Sequence, residues 1–350
     1  MSYRVGVVGA TGAVGSTIVE VLAERGFPVG ELVPFASERS AGREIEFAGG
    51  TVECRPLTDE TIRGLDLVLS SAGGAVSAEW VPRLVDAGAV VVDNTSYWRM
   101  HPEVPLVITE VNPDAAERHS GLVANPNCST MQMVLALAPI ERAVGIERIV
   151  VSTYQSVSGT GQRAVDELRD QSHAQLHEQD HPAEVYPHRI AFNVLPQVET
   201  FKDGDDYTTE ERKLMAETRK ILELSEERLG ISATCARVPV FVGHSQSVNI
   251  ETRAPLAPEA CRELLSGAPG ILVVDSPDDG VYPMATDAAG RDEVLVGRIR
   301  RDPSHERCLN LWIVGDNLRK GAATNAVQVA ELLAERDLIR VPAGAAALAA

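Results

Sequence analysis

The chain has 350 residues, 44% hydrophobic and 23% charged, the make-up of an ordinary globular protein with room for two domains. Its 50 acidic residues against 32 basic ones leave a formal charge of −18, which argues against a surface that grips nucleic acid or an anionic membrane and requires a local basic cluster for any anionic substrate. The five cysteines, Cys54, Cys128, Cys235, Cys261 and Cys308, are odd in number and widely spaced, which suits neither a disulfide framework nor a zinc site, and no stretch approaches the ~18 consecutive apolar residues of a membrane span.

The first residues run directly into a glycine turn without an apolar leader, so a soluble, unexported protein of the reducing cytoplasm is expected. Tyr3 to Val8 reads as a short buried strand, and Ser16 to Arg25 carries the 3.6-residue apolar period of a helix. Strands follow at 31–37 and 65–72, a helix at 76–88 and a strand at 89–95. Continuous apolar strands alternating with helices predict a parallel sheet covered on both faces, a Rossmann-type doubly wound α/β domain. Asn125, Pro126 and Asn127 are turn formers, and a run of helix formers begins at Cys128. Beyond it the strands at 146–159, 233–253, 293–302 and 308–316 are longer and alternating, which predicts a mostly antiparallel sheet with one exposed or partner-covered face. Helices are expected at 161–176, 208–228 and 258–265, making this second domain α+β. The segment 321–339 reads as an amphipathic helix with Ala322, Ala326, Val329, Leu332 and Leu333 on one side, returning to the first domain, and the tail from Pro342 to Ala350 as frayed. The expected domains are 1–127 with 320–350, for cofactor binding, and 128–319, for catalysis and dimerisation.

"GATGAVG" (9–15) places glycines at Gly9, Gly12 and Gly15 between a predicted strand and a predicted helix. Such a turn lets backbone approach a pyrophosphate that the helix N-terminus attracts. A second turn, "SSAGGAVS" (70–77), with Ser71 and Gly73, could cover the same cofactor. At the end of strand two, Ser37, Arg39 and Ser40 favour the 2′-phosphate of NADP, while Glu38 keeps NAD open. Cys128, on the first turn of its helix, meets unsatisfied N–H groups that shift a thiol toward thiolate, the form that attacks carbon. Asn127 and the first amides of that helix could stabilise an oxyanion. A dinucleotide domain followed at once by an activated cysteine points to aldehyde chemistry through a thioester.

In this order "GATGAVG", "SSAGGAVS", "VVDNTSYWRM", "NPNCST", "STYQSVSGTG" and "ARVPVFVGHSQSVNIE" resemble the bacterial aspartate-β-semialdehyde dehydrogenase family over nearly the whole chain. The resemblance implies reversible NADPH-dependent reduction of L-aspartyl-4-phosphate to aspartate semialdehyde and phosphate, on the route to lysine (through diaminopimelate), methionine, threonine and isoleucine, by a homodimer or homotetramer. It implies Cys128 as nucleophile, Gln155 as the residue that positions the acyl group and His244 as general acid/base. Arg237 corresponds to the ligand of the substrate α-carboxylate, Glu210 to that of its amine, and Lys213 and Arg99 to those of phosphate. Thr11, Gly12, Ala13, Val14, Arg39, Ser40, Ser158, Gly159 and Asn317 correspond to cofactor contacts.

Some features have blander readings. Glu210 and Lys213, three apart on a predicted helix, would by themselves read as a solvated surface pair. His173, His177 and His181 recur every four residues, but Pro182 and the polar residues before it predict that the helix ends there, leaving a solvated stretch and no metal site. Cys235 reads as packed. The competing functions are an N-acetyl-γ-glutamyl-phosphate reductase and a non-catalytic NADP-binding protein of the same fold.

Overall fold

The computed structural model describes residues 2–341, so the tail from Pro342 to Ala350 lies outside the described residues. The chain divides into two compact units, Met1–Asn127 with Ala322–Ala350, and Cys128–Gly321.

The first unit opens with β1 (Tyr3–Val8), α1 (Ala13–Glu24) and β2 (Val29–Ala36), followed by a β3–β4 hairpin (Glu44–Phe47, Gly50–Glu53) and a short β5 (Arg55–Pro56). Then come β6 (Leu67–Ser70), α2 (Gly74–Asp86), β7 (Val90–Asp93) and β8 (Leu122–Ala124). β6 and β7 are buried along their whole length, as strands covered on both faces must be. All pairings in the six-stranded sheet are parallel, in the order β5-β2-β1-β6-β7-β8. The order reverses between β1 and β6, and in open α/β sheets the crevice at the carboxyl ends of such a pair takes the ligand. The turns after β1 and β6 are the two glycine-rich segments.

The second unit begins with α3 (Cys128–Val144), buried throughout from Ser129 to Ala138, with the polar Ser129, Thr130 and Gln132 in its first turns and an apolar run from Met133 to Ala138. It continues with β9 (Ile146–Gln155), α4 (Gln162–Leu176), α5 (Thr209–Leu222), β10 (Gly230–Arg237), β11 (His244–Thr252), α6 (Pro258–Ser266), β12 (Ile271–Val273), α7 (Ala285–Ala288), β13 (Val294–Arg301) and β14 (Cys308–Gly315). The single strand expected over 233–253 is two. Pro239, which cannot donate to a ladder, and Gly243 at φ +93° break it, so that β10 pairs parallel and β11 antiparallel with β9. The sheet is therefore mixed, in the order β10-β9-β11-β14-β13-β12, with β12 also parallel to β13. The helix expected over 208–228 stops at Leu222, where Glu223 turns left-handed. α3 packs against β9, β11, β13 and β14.

After a wide turn at Arg319–Ala323, α8 (Thr324–Glu335) belongs to the first unit, where Ala326, Val327, Val329, Ala330 and Leu333 join Val5, Leu67 and Val90 in one core. Leu332 only flanks that core. Among the described residues no helix is long and apolar enough to cross a membrane.

Candidate active site

Strand register gathers the chemical residues of the second unit. Gln155 and Arg237, the last residues of β9 and β10, are direct partners; His244 opens β11 opposite Gly315, the last residue of β14. Three strand ends and one strand start thus share an edge of the sheet. All three functional side chains are buried: Gln155 is 2% exposed, Arg237 5% and His244 0%.

His244 is held from one side. The Ser156 backbone N–H donates to its Nδ1 at 3.0 Å, so Nδ1 is the acceptor and the neutral ring carries its proton on Nε2. Nε2 itself is enclosed and has no hydrogen-bond partner among the described residues, and neither has Arg237 Nε. Both side chains border Gly159, where an added Cβ would lie 3.2 Å from Arg237 Nη1 and 3.2 Å from His244 Nε2. Arg237 is anchored by donating from Nη1 to Ser156 O at 2.7 Å, with the Tyr186 ring 5.9 Å from its guanidinium carbon. Burial, and after it the Arg237 charge, holds the His244 imidazole well below the usual histidine range. The side chain of Asn317 is taken up within the unit: Oδ1 accepts from Ser156 Oγ at 3.0 Å and from the Gly243 N–H at 3.0 Å, and Nδ2 donates to Ser158 Oγ at 2.9 Å.

Gln155 Nε2 donates to Glu210 Oε1 at 3.0 Å, and Lys213 Nζ lies 3.4 Å from Glu210 Oε2 and contacts Glu199. Glu210 is 3% exposed, so the solvated-pair reading of Glu210 and Lys213 fails here. Local sequence presents them: α5 starts on a capping box, with Thr208 Oγ1 accepting from the Glu211 N–H and Glu211 accepting from the Thr208 N–H at 2.8 Å. Glu199, which sequence reasoning missed, has left-handed backbone and accepts from Thr209 Oγ1 at 2.6 Å.

Cys128 opens α3 and is the one partly exposed cysteine of the five. A Cβ on Gly321 would lie 2.9 Å from Cys128 Cβ, so the turn after β14 carries both Asn317 and the residue that fits against Cys128. Burial pushes the other thiols up, Cys261 to about 12 and Cys235 further, which leaves them packed and inert. α4 ends at Leu176 with His177 as its cap; the His173 and His177 rings stack at 4.3 Å.

In the first unit, α1 opens on Gly12 with no side-chain cap and no acidic residue in its first turn. The Gly12 N–H donates to Gly9 O at 2.9 Å, and a Cβ on Gly15 would stand 2.0 Å from that oxygen, so only glycine lets the turn close. Thr11, Ala13 and Val14 lie at this half-exposed helix start. α2 opens in the same way on Gly73, at φ +93°, and the enclosed hydroxyl of Ser71 beside it has no partner. Ser37, Arg39 and Ser40 stand on the exposed turn after β2, the neighbour of β1. Arg99 is buried and donates to Asn125 O at 2.9 Å and Asn94 O at 2.8 Å. Asn125, in the turn before Asn127 and Cys128, donates to Asn94 Oδ1 at 2.6 Å and accepts from Asn325 Nδ2 at 2.6 Å. Asn127 is buried as well. Asn325 stands 200 residues from its partner, and no local signal could have found it.

Residues 4–119 match the family model for the NAD binding domain of semialdehyde dehydrogenases, and residues 137–320 match that for their dimerisation domain. The aspartate-semialdehyde dehydrogenase of Aquifex aeolicus is 52% identical over 343 residues, covering 97% of this chain and all of that protein. That of Synechocystis is 47% identical over 333 residues, covering 95% and 98%. Among solved structures, aspartate semialdehyde dehydrogenase II of Vibrio cholerae, complexed with ASA, aligns with a TM-score of 0.92 at 47% identity, over 96% of this chain and 99% of that one. The sheet order, the glycine turns and a cysteine-led helix agree with these likenesses, and the chain belongs to the aspartate-semialdehyde dehydrogenase family.

Proposed function

We propose that this chain catalyses the reversible reductive dephosphorylation of L-aspartyl-4-phosphate to L-aspartate 4-semialdehyde with NADPH, through a thioester on Cys128, in the biosynthesis of lysine, methionine, threonine and isoleucine. The observation that carries it is that two side chains bordering Gly159, His244 and Arg237, each bury a nitrogen, Nε2 and Nε, without a hydrogen-bond partner among the described residues, in the unit whose central helix begins with Cys128. Enclosed donors without acceptors are costly unless a ligand meets them.

The residues of the first unit fit a dinucleotide. Two helix N-termini without side-chain caps flank the switch point, and the orphaned Ser71 hydroxyl lies between them in the fold. Gly9, Thr11, Gly12, Ala13 and Val14 would hold the pyrophosphate, with Ser71 and Gly73 covering it, and Ser37, Arg39 and Ser40 would meet the 2′-phosphate of NADP. Ser158 and Gly159 would border the nicotinamide. When bound, NADPH supplies the hydride that reduces the acyl group.

The chain's own residues do the rest. The Cys128 thiolate attacks the acyl carbon, phosphate leaves with the C–O bond's electrons, and the thioester remains. Asn127 and the first amides of α3 stabilise the oxygen while the carbon is tetrahedral. His244 offers Nε2–H to the same reacting centre, and its depressed basicity keeps the ring neutral at pH 7. The Arg237 fork matches the α-carboxylate. Glu210 meets the substrate amine, Gln155 orients the acyl group, and the resemblance gives Lys213 and Arg99 to the phosphate.

The second unit also supplies a surface for a second copy. Helices cover one face of its sheet, while the other carries Tyr154, Ser245, Ser247 and Trp312 beside a cavity of about 480 Å³ bordered by Tyr282 and Met284. This face, which mixes Tyr154, Met284 and Trp312 with Ser245, Ser247, Arg298 and Arg300, suits a homodimer or homotetramer in the cytoplasm. The test of function is nicotinamide absorbance with aspartate semialdehyde, phosphate and NADP, against NAD and N-acetylglutamate semialdehyde. Phosphate-dependent NADPH formation with the aspartyl substrate alone supports the proposal; silence with every pair leaves a binding protein.

A further inference from the structure

We infer that Asn317 is a positioning residue for His244, acting through Ser156 and Gly243, in addition to any contact it makes with cofactor. The inference rests on the proposed acid role of His244. A count of donors and acceptors supports it. The Gly243 N–H can only donate, and it donates to Asn317 Oδ1 at 3.0 Å, which fixes the residue immediately before His244. Ser156 Oγ donates to the same oxygen at 3.0 Å, and Ser158 Oγ lies 3.2 Å from it. Asn317 Nδ2 donates to Ser158 Oγ at 2.9 Å, and the Ser158 hydroxyl lies 3.1 Å from Ser156 Oγ, where its proton finds an acceptor.

The two hydroxyls have more than one neighbour, since Ser156 Oγ also lies 3.0 Å from His244 Nδ1 and Ser158 Oγ 3.2 Å from Asn317 Oδ1, and Asn317 is the group that touches both. The Ser156 N–H donates to His244 Nδ1 at 3.0 Å, and the Ser156 hydroxyl, 3.0 Å from both Asn317 Oδ1 and His244 Nδ1, takes its orientation from Asn317. With Nδ1 confined to accepting, the ring proton is kept on Nε2, beside Gly159. Asn317, Ser156, Ser158 and His244 are all at least 95% buried, so water cannot stand in for a missing member without reorganisation. Asn317 sits on the same turn as Gly321, whose close approach to Cys128 ties the placement of acid and nucleophile to one short segment.

The test uses the full-length protein with 15N-labelled histidine, and variants Asn317→Ala and Asn317→Asp, each checked for folding by circular dichroism. The His244 ring nitrogens, assigned by loss in His244→Asn, should show a protonated Nε2 and an unprotonated Nδ1 in the native protein at pH 8. Asn317→Ala should give a tautomer mixture and a kcat lower by about 10- to 100-fold. Asn317→Asp keeps an acceptor for Gly243 and Ser156 and should restore the single tautomer. An unchanged tautomer in Asn317→Ala, with only a raised KM for NADP, would overturn the inference and leave Asn317 a cofactor contact. A native protein without turnover would instead sink the dehydrogenase reading, while the ring spectra would still report whether Asn317 sets the tautomer.

Discussion

At the scale of single residues, the proposed mechanism assigns attack, anion binding and proton placement to side chains that can be changed one at a time. Cys128→Ala removes the thiol that opens α3 and should abolish turnover while NADP binding, measured by fluorescence quenching, persists. Arg237→Lys retains the charge but loses the planar fork, so the KM for aspartate semialdehyde should rise by about tenfold or more, with folding intact. Lys213 is shared between Glu199 and Glu210, so phosphate must compete with a carboxylate that is already there. Removing that competitor by Glu199→Gln should lower the KM for phosphate about 2- to 5-fold, the range of a partly exposed ion pair; a rise would mean that Glu199 assists phosphate. Residue chemistry was legible where it depended on neighbours in sequence. The turn before Cys128 and the helical pairing of Glu210 with Lys213 could be read directly, but their burial could not, because it is set by β9, whose Gln155 reaches Glu210 from 55 positions away.

Among elements, those with strong periodicity emerged as read: β1 spans Tyr3–Val8, and α2, α4 and α6 lie within two residues of their expected limits. The errors fall where one residue overrides a pattern. Pro239 and Gly243 divide what alternation alone presents as one strand, and that division lets Arg237 and His244 occupy one edge. The β3–β4 hairpin was missed because its residues are mostly exposed and carry little apolar alternation. Thr208→Ala should cost about 1 kcal/mol in denaturant unfolding by removing one arm of the α5 capping box, and should loosen Glu210 and Lys213 together. A second element-scale test lies in His119, which accepts the Gly121 N–H on Nδ1 at 3.0 Å and reaches Leu338 O with Nε2 at 3.2 Å. Burial lowers its basicity, so the fold favours the neutral ring; its stabilisation is complete above the unfolded value near 6.5 and is lost as pH falls toward the lower folded value. The melting temperature should drop between pH 7.5 and pH 5 (roughly the span of histidine titration), and less so in His119→Gln.

For the molecule as a whole, the open face of the mixed sheet is the feature that composition could not reveal, since alternation shows that one face is different but not what meets it. If a second copy covers it, Trp312→Lys, which adds a positive charge beside Arg298 and Arg300 on this face, should shift the protein to monomers in sedimentation without altering the helix content. Unchanged sedimentation would move the contact elsewhere. The two-unit division has a further consequence during synthesis on the ribosome. Every side chain proposed to act in the chemistry or to hold the cofactor lies at or before Asn317, yet the hydrophobic core of the first unit is completed by α8, at Thr324–Glu335. The segment Cys128–Gly321 is continuous and can condense while translation proceeds, whereas the opening 127 residues wait for the last helix to emerge. A chain released just short of Thr324 would therefore keep its nucleophile, acid and anion ligands and still lack a finished nucleotide unit. Quality control by length is written into the order in which the parts leave the ribosome.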